Sequence, residues 1–63
     1  MKSVGEIIKE RRVAKGWTQV QFAETIGIKS TQVWNWESGF RIPNAENRVK
    51  IAEALGFDVR EIL

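Results

Sequence analysis

The stretch Thr18-Gln19-Val20-Gln21-Phe22-Ala23-Glu24-Thr25-Ile26-Gly27-Ile28-Lys29-Ser30-Thr31-Gln32-Val33-Trp34-Asn35-Trp36-Glu37-Ser38-Gly39 decides how this chain folds. Thr18 is a good helix N-cap, because its hydroxyl can accept a hydrogen bond from a backbone N–H in the first turn. Phe22, Ala23 and Ile26 then fall on one helical stripe, and Gly27 suits the left-handed position that ends a helix. A second segment begins near Ser30 and runs to about Ser38, where Gly39 stops it. The sequence therefore predicts two short helices joined by Gly27-Ile28-Lys29.

Outward from this pair the same signals recur. From about Ser3 to Ala14, Val4, Ile7, Ile8 and Arg11 keep the i, i+3, i+4, i+7 spacing of a helical face, and Ser3 with Glu6 forms a candidate capping box. Gly16 fits a left-handed position after that helix. On the other side a fourth helix is expected from Asn44, just behind the only proline, Pro43, with Val49, Ala52 and Leu55 turned inward before Gly56. A last single turn is capped by Asp58, with Glu61 three residues on, and ends in Ile62 and Leu63. No run alternates with period two for more than a few residues, and no Asn-Gly or Asp-Gly hairpin signal occurs. The expected fold is all-α: a compact bundle of five short helices forming one domain over residues 1–63.

Composition narrows the chemistry. With no Cys and no His among 63 residues, disulfide frameworks, zinc sites and Cys or His nucleophiles are excluded. Apolar packing must hold the fold, and 43% hydrophobic against 29% charged residues is a globular balance rather than a disordered one. The net charge of +2 favours anionic partners only weakly, so the placement of charges has to decide. No stretch has the apolar length of a signal peptide or membrane span, and the expected location is the cytoplasm. The remaining candidates for acid–base work are carboxylates on helix surfaces and caps, and no phosphate-cradling glycine motif occurs, so neither catalysis, nor a cofactor, nor a metal, nor a small-molecule ligand is expected.

The turn length between the second and third helices is that of a helix-turn-helix, although generic helix pairs share it. A helical wheel of the third helix is more telling. At about 100° per residue, Val33 and Trp36 share one side and must face the core, while Thr31, Trp34, Asn35 and Ser38 lie opposite with Ser30 on the edge. That outer face carries hydroxyls, an amide and an indole, and no charge. A solvated helix face normally carries charges. Asn can pair bidentately with adenine, and a Thr methyl or an aromatic ring can touch the thymine methyl. Read from the residues alone, a DNA groove is weighed evenly against a surface that is neutral by chance or a protein contact patch.

The chain as a whole resembles the phage repressor and Cro type of helix-turn-helix domain, the xenobiotic-response-element family of regulators. The resemblance runs from Val4-Gly5-Glu6-Ile7-Ile8 to Asp58-Val59-Arg60-Glu61-Ile62. It is strongest at Arg11-Arg12, Gly16-Trp17-Thr18-Gln19, Phe22-Ala23, Gly27-Ile28, Trp36-Glu37-Ser38-Gly39 with Pro43, and Ile51-Ala52-Glu53-Ala54-Leu55-Gly56-Phe57. It implies that Ser30, Thr31 and Asn35 read base edges in the major groove of a double-stranded operator, and Trp34 on the same face is a further base-reading candidate. It implies that Gln19 holds a phosphate at the start of the second helix, that Gln32 and Arg41 lie near the backbone, and that Arg12 forms a salt bridge with Glu37 while being a further candidate for a phosphate. It also implies a homodimer on DNA.

Three positions depart from the pattern. Lys29 stands where relatives often have a Ser or Thr cap, which moves the expected cap to Ser30, and a Ser30 hydroxyl engaged by the backbone would not be free for a base. Trp34 replaces a residue that is commonly small or polar in relatives, so thymine methyls, sugar and a protein partner all remain open as its contact. Phe40 stands where basic residues are common, which points to a dimer contact. The competing function is a protein-interaction module of antitoxin or adaptor type, with Trp34, Phe40, Ile62 and Leu63 as its surface.

Overall fold

The computed structural model describes residues 2–63. Four α-helices follow one another, α1 (Val4–Ala14), α2 (Gln19–Ile26), α3 (Ser30–Ser38) and α4 (Ala45–Leu55), and a 3-10 turn, Val59–Ile62, ends the chain. The expected fifth helix is thus this 3-10 turn. Its four residues are too few for a stable α-helical turn, and the tighter i to i+3 pattern suffices to fold Ile62 back onto the core. Asp58 caps it by accepting from the Arg60 N–H, while Glu61 reaches away to Arg11, 2.8 Å from its Nη2. Among the described residues no helix is long and apolar enough to cross a membrane.

Local chemistry sets the helix ends. Ser3 and Glu6 exchange side-chain and backbone bonds at the start of α1, and Thr18 and Gln21 do the same at α2. Asn44 accepts from the Asn47 N–H at 2.8 Å to open α4. Gly27 ends α2 with φ +73°, a conformation that costs glycine nothing and a residue with a Cβ roughly 1 kcal/mol or more. That left-handed residue turns the chain so sharply that α3 starts three residues later.

The core gathers Ile8, Phe22, Val33, Trp36, Ile51, Leu55 and Ile62, one or two residues from every element. Burying each large side chain contributes about 1.5–3 kcal/mol, which is how a chain without cysteines, and without a metal-binding cluster among the described residues, holds together. In α4 the inward stripe is Ile51, Ala52 and Leu55, and Val49, expected inside, is exposed. The cause is Arg48, which on a helical wheel falls within the same stripe as Ile51 and Leu55; its Nε is enclosed without a partner. A charged residue inside the apolar stripe obscures the period.

Gly5 sets how closely α1 approaches α3. A Cβ there would stand 2.8 Å from the carbonyl oxygen of Glu37 and closer still to that of Trp36. The missing side chain lets α1 lie directly against the C-terminal carbonyls of α3.

Candidate nucleic-acid interface

The outward ridge of α3 is the centre of the site. Val33 and Trp36 anchor it inward, and Thr31, Gln32, Trp34 and Ser38 are exposed, with Ser30 and Asn35 half-buried at its margins. Lys29 serves as N-cap through its backbone alone, without a side-chain bond, and its carbonyl accepts from the Gln32 N–H at 3.0 Å. The expected shift of the cap to Ser30 does not occur: Ser30 is the first residue of α3. A lysine side chain cannot accept from a backbone N–H, so α3 begins with its first-turn donors uncapped by any side chain. Ser38 is partly committed, its hydroxyl lying 3.1 Å from the Asn35 carbonyl.

Below the ridge a buried ion pair fixes the end of α3 to α1. Arg12 donates from Nε to Glu37 Oε2 at 2.6 Å and from Nη2 to Oε1 at 3.0 Å, and its Nη1 donates to the Trp17 carbonyl at 2.7 Å. Both side chains are almost wholly removed from water. A bidentate pair with the third nitrogen also bonded suits such burial, since either charge alone would cost several kcal/mol. Gln19 joins the network by donating from Nε2 to Glu37 Oε1 at 3.1 Å. The first residue of α2 is therefore tied to the last turn of α3, and one amide hydrogen of Gln19 remains for an outside acceptor.

Two shallow polar depressions flank the ridge. On the α1–α2 side the lining is Lys9, Arg12, Gln19, Trp34, Glu37 and Ser38. On the α4 side it is Gln32, Asn35, Trp36, Arg41, Ile42, Asn44 and Asn47. Arg41 is held at the second by its N–H, which donates to the Asn35 carbonyl at 3.1 Å, and its guanidinium lies over the Phe40 ring. Each depression has a helix N-terminus at its rim, α2 on one side and α4 on the other, with first-turn N–H groups that have no intrahelical partner. Ridge and flanks thus bring together the residues singled out in the sequence as DNA contacts. Lys9, Asn44 and Asn47 escaped sequence reading, because their helices had to be folded beside α3 before they could share a face with it.

The other exposed apolar groups are dispersed. Phe40 and Ile42 project from the loop after α3, at 71% and 70% exposure, and Leu63 is exposed at the chain end. Ile62, expected to share a partner surface with Leu63, is buried in the core, because at three residues per turn the neighbouring side chains of the 3-10 turn diverge by about 120° and only Ile62 faces inward.

Residues 8–62 match the helix-turn-helix family. This chain belongs to it. The chain is 41% identical over 59 residues to the cryptic phage CTXphi transcriptional repressor RstR of Vibrio cholerae, covering 94% of this chain and 53% of the relative. Multiprotein-bridging factor 1 of Schizosaccharomyces pombe is 39% identical, with 94% of this chain and 40% of the relative covered. The chain spans about half the length, or less, of these curated relatives. Among solved structures, the P22 c2 repressor in complex with a synthetic operator superposes with a TM-score of 0.94 at 25% identity, over 100% of this chain and 96% of that one. The restriction-modification controller protein C.AhdI of Aeromonas hydrophila gives 0.86 at 33% identity, over 95% and 91%.

Proposed function

We propose that this helix-turn-helix chain is the DNA-binding domain of a sequence-specific transcriptional regulator, acting by occupying a double-stranded operator. The observation that carries the reading is the uncharged ridge of α3 between two polar depressions that have helix N-termini at their rims. A helix fits the major groove, and the two backbone strands then run along its flanks. Thr31 at the crest and Asn35 at its α4-side margin meet base edges, with Ser30 and Trp34 beside them. Gln19, with Lys9 next to it, meets phosphates on one strand. Arg41 and Gln32, with Asn44 and Asn47, meet those on the other.

Arg12 has a positioning role here, since its buried guanidinium holds Glu37 and through it Gln19. The likeness to a repressor bound to its operator supports repression as the mode and a two-fold symmetric complex as its form. Phe40 and Ile42, projecting beyond the flank, are available to the second copy. The reading carries a cytoplasmic location with it, where a bacterial or phage operator is reached. Catalysis forms no part of it.

Selection of bound duplexes from a random-sequence pool tests the proposal. Enrichment of a two-fold symmetric motif, with an affinity that falls steeply as salt rises, is the expected result. Absence of any enriched motif, or binding indifferent to sequence, would overturn it and turn attention to Trp34 and Phe40 as protein contacts.

A further inference from the structure

Trp34 is the largest side chain on the α3 ridge and stands 56% exposed, in a sequence that buries its other large aromatic on the same helix, Trp36. Exposing an indole to water has no stabilising value for the fold, and a face already carrying Thr31, Asn35 and Ser38 would be better solvated without it. The position of the ring matters more than its exposure. Trp34 lines the α1–α2 depression together with Lys9, Gln19 and Glu37, and on the helical wheel of α3 it falls between Glu37 on that side and Thr31 and Asn35 on the other. The cation and the amide are the groups that suit a phosphate, so the indole sits inward of the backbone track, over the groove floor.

The major groove displays hydrogen-bond donors and acceptors and a single apolar group, the 5-methyl of thymine. The ridge residues around the ring are uncharged, and Arg12 and Glu37 beside it in the depression are engaged with each other, so the apolar face of the indole matches that methyl group. Resting on the DNA-reading function above, we propose that Trp34 is a specificity-determining residue that recognises a pyrimidine 5-methyl group. The chain then distinguishes thymine from uracil, and 5-methylcytosine from cytosine, at one position of each half-site. The indole N–H, at the ring edge, stays directed to water or to a neighbouring acceptor.

The test uses the full 63-residue chain and the duplex enriched from the random pool, with each thymine replaced in turn by deoxyuridine, which removes only the methyl. Wild type should lose about three- to tenfold in affinity at one thymine per half-site, the value of burying one methyl group. Trp34→Ala should bind the thymine and uracil duplexes alike, whereas Thr31→Ala should keep the thymine preference at that position. Placing cytosine or 5-methylcytosine there should show the same gain from the methyl in wild type and none in Trp34→Ala. Trp34→Phe, which keeps an apolar ring, should keep part of the preference and excludes a folding defect as its source. Indifference of wild type to every thymine replacement, or an equal methyl effect in wild type and Trp34→Ala, would overturn the inference while leaving the DNA-reading function standing. Uniform weakening of all duplexes by Trp34→Ala, without change in the methyl effect, would overturn it in favour of a sugar contact. A pool that yields no enriched duplex would refute the DNA-reading function itself, and this inference with it.

Discussion

Gly5→Ala should destabilise the chain, against the usual direction of such a change. In an exposed helix interior, alanine is better than glycine by about 1 kcal/mol, because glycine loses more backbone entropy on folding. Here the new Cβ would lie 2.8 Å from the Glu37 carbonyl oxygen and nearer still to that of Trp36, distances that real Cβ atoms do not adopt. Both neighbours are backbone, so neither can swing aside. Helix α1 must instead retreat from α3, loosening Ile8 against Trp36 and stretching the Arg12–Glu37 pair, which is already at 2.6 Å. Overpacking of this kind costs about 1–3 kcal/mol beyond the propensity gain. Taking a net loss of about 2 kcal/mol, the thermal midpoint should fall by roughly 8–16 °C for a domain of this size. Urea unfolding followed by far-ultraviolet circular dichroism reads the same loss as a lower midpoint at unchanged slope. A variant as stable as wild type, or more stable by the amount that helix propensity alone supplies, would refute the close approach of α1 to α3.

Removing Glu37 should be costlier than removing Arg12 and Glu37 together. Glu37→Ala leaves a buried guanidinium without its carboxylate, a loss of about 3–5 kcal/mol, whereas an apolar pair such as Arg12→Met with Glu37→Leu should recover most of it; denaturant unfolding of the three proteins decides, and equal losses would contradict the buried pair. Acid should weaken the caps. The backbone and then the side-chain hydrogen bond from Ser3 hold the Glu6 carboxyl below its ordinary 4.5, and the side-chain and then the backbone hydrogen bond of Arg60 hold Asp58 below its ordinary 3.8. Because both are lowered in the folded state, the stability they add is present above those ordinary values and is lost as pH falls through the lowered ones. Glu6→Gln and Asp58→Asn should therefore each make stability less dependent on pH below about 4.5, with no change of pH dependence near neutrality; an unchanged acid limb would argue against these caps.

Features governed by neighbours in sequence were readable before folding. The capping box at Ser3–Glu6, the Thr18 and Asn44 caps and the stops at Gly27 and Gly39 lie where their residue types place them, because each depends on bonds within a few residues. Trp36 and Val33 could be assigned to the core from the wheel of α3 alone. What depended on distant partners was hidden. Val49 was expected inside because Arg48 occupies the apolar stripe of α4 and disguises its period. The 3-10 form of residues 59–62 follows from a packing need of Ile62 that only the assembled core creates. At the site, the α3 residues were readable as one face of one helix. The Gln19 bond to Glu37, the closeness imposed by Gly5, and the gathering of Lys9, Asn44 and Asn47 on the flanks needed the placement of three other helices.

The central claim is that α3 reads bases while its flanks hold the backbone, and the two roles have different signatures. The most direct measurement is the affinity of wild type, Asn35→Ala and Gln19→Ala for the enriched duplex and for every single-base-pair variant of it. Asn35→Ala should lose about 1–3 kcal/mol of discrimination at one base pair per half-site and little elsewhere. Gln19→Ala should weaken all duplexes by a common factor. The opposite pattern, with Asn35→Ala uniform and Gln19→Ala selective, or no change in any base preference, would contradict the placement of α3 in the groove.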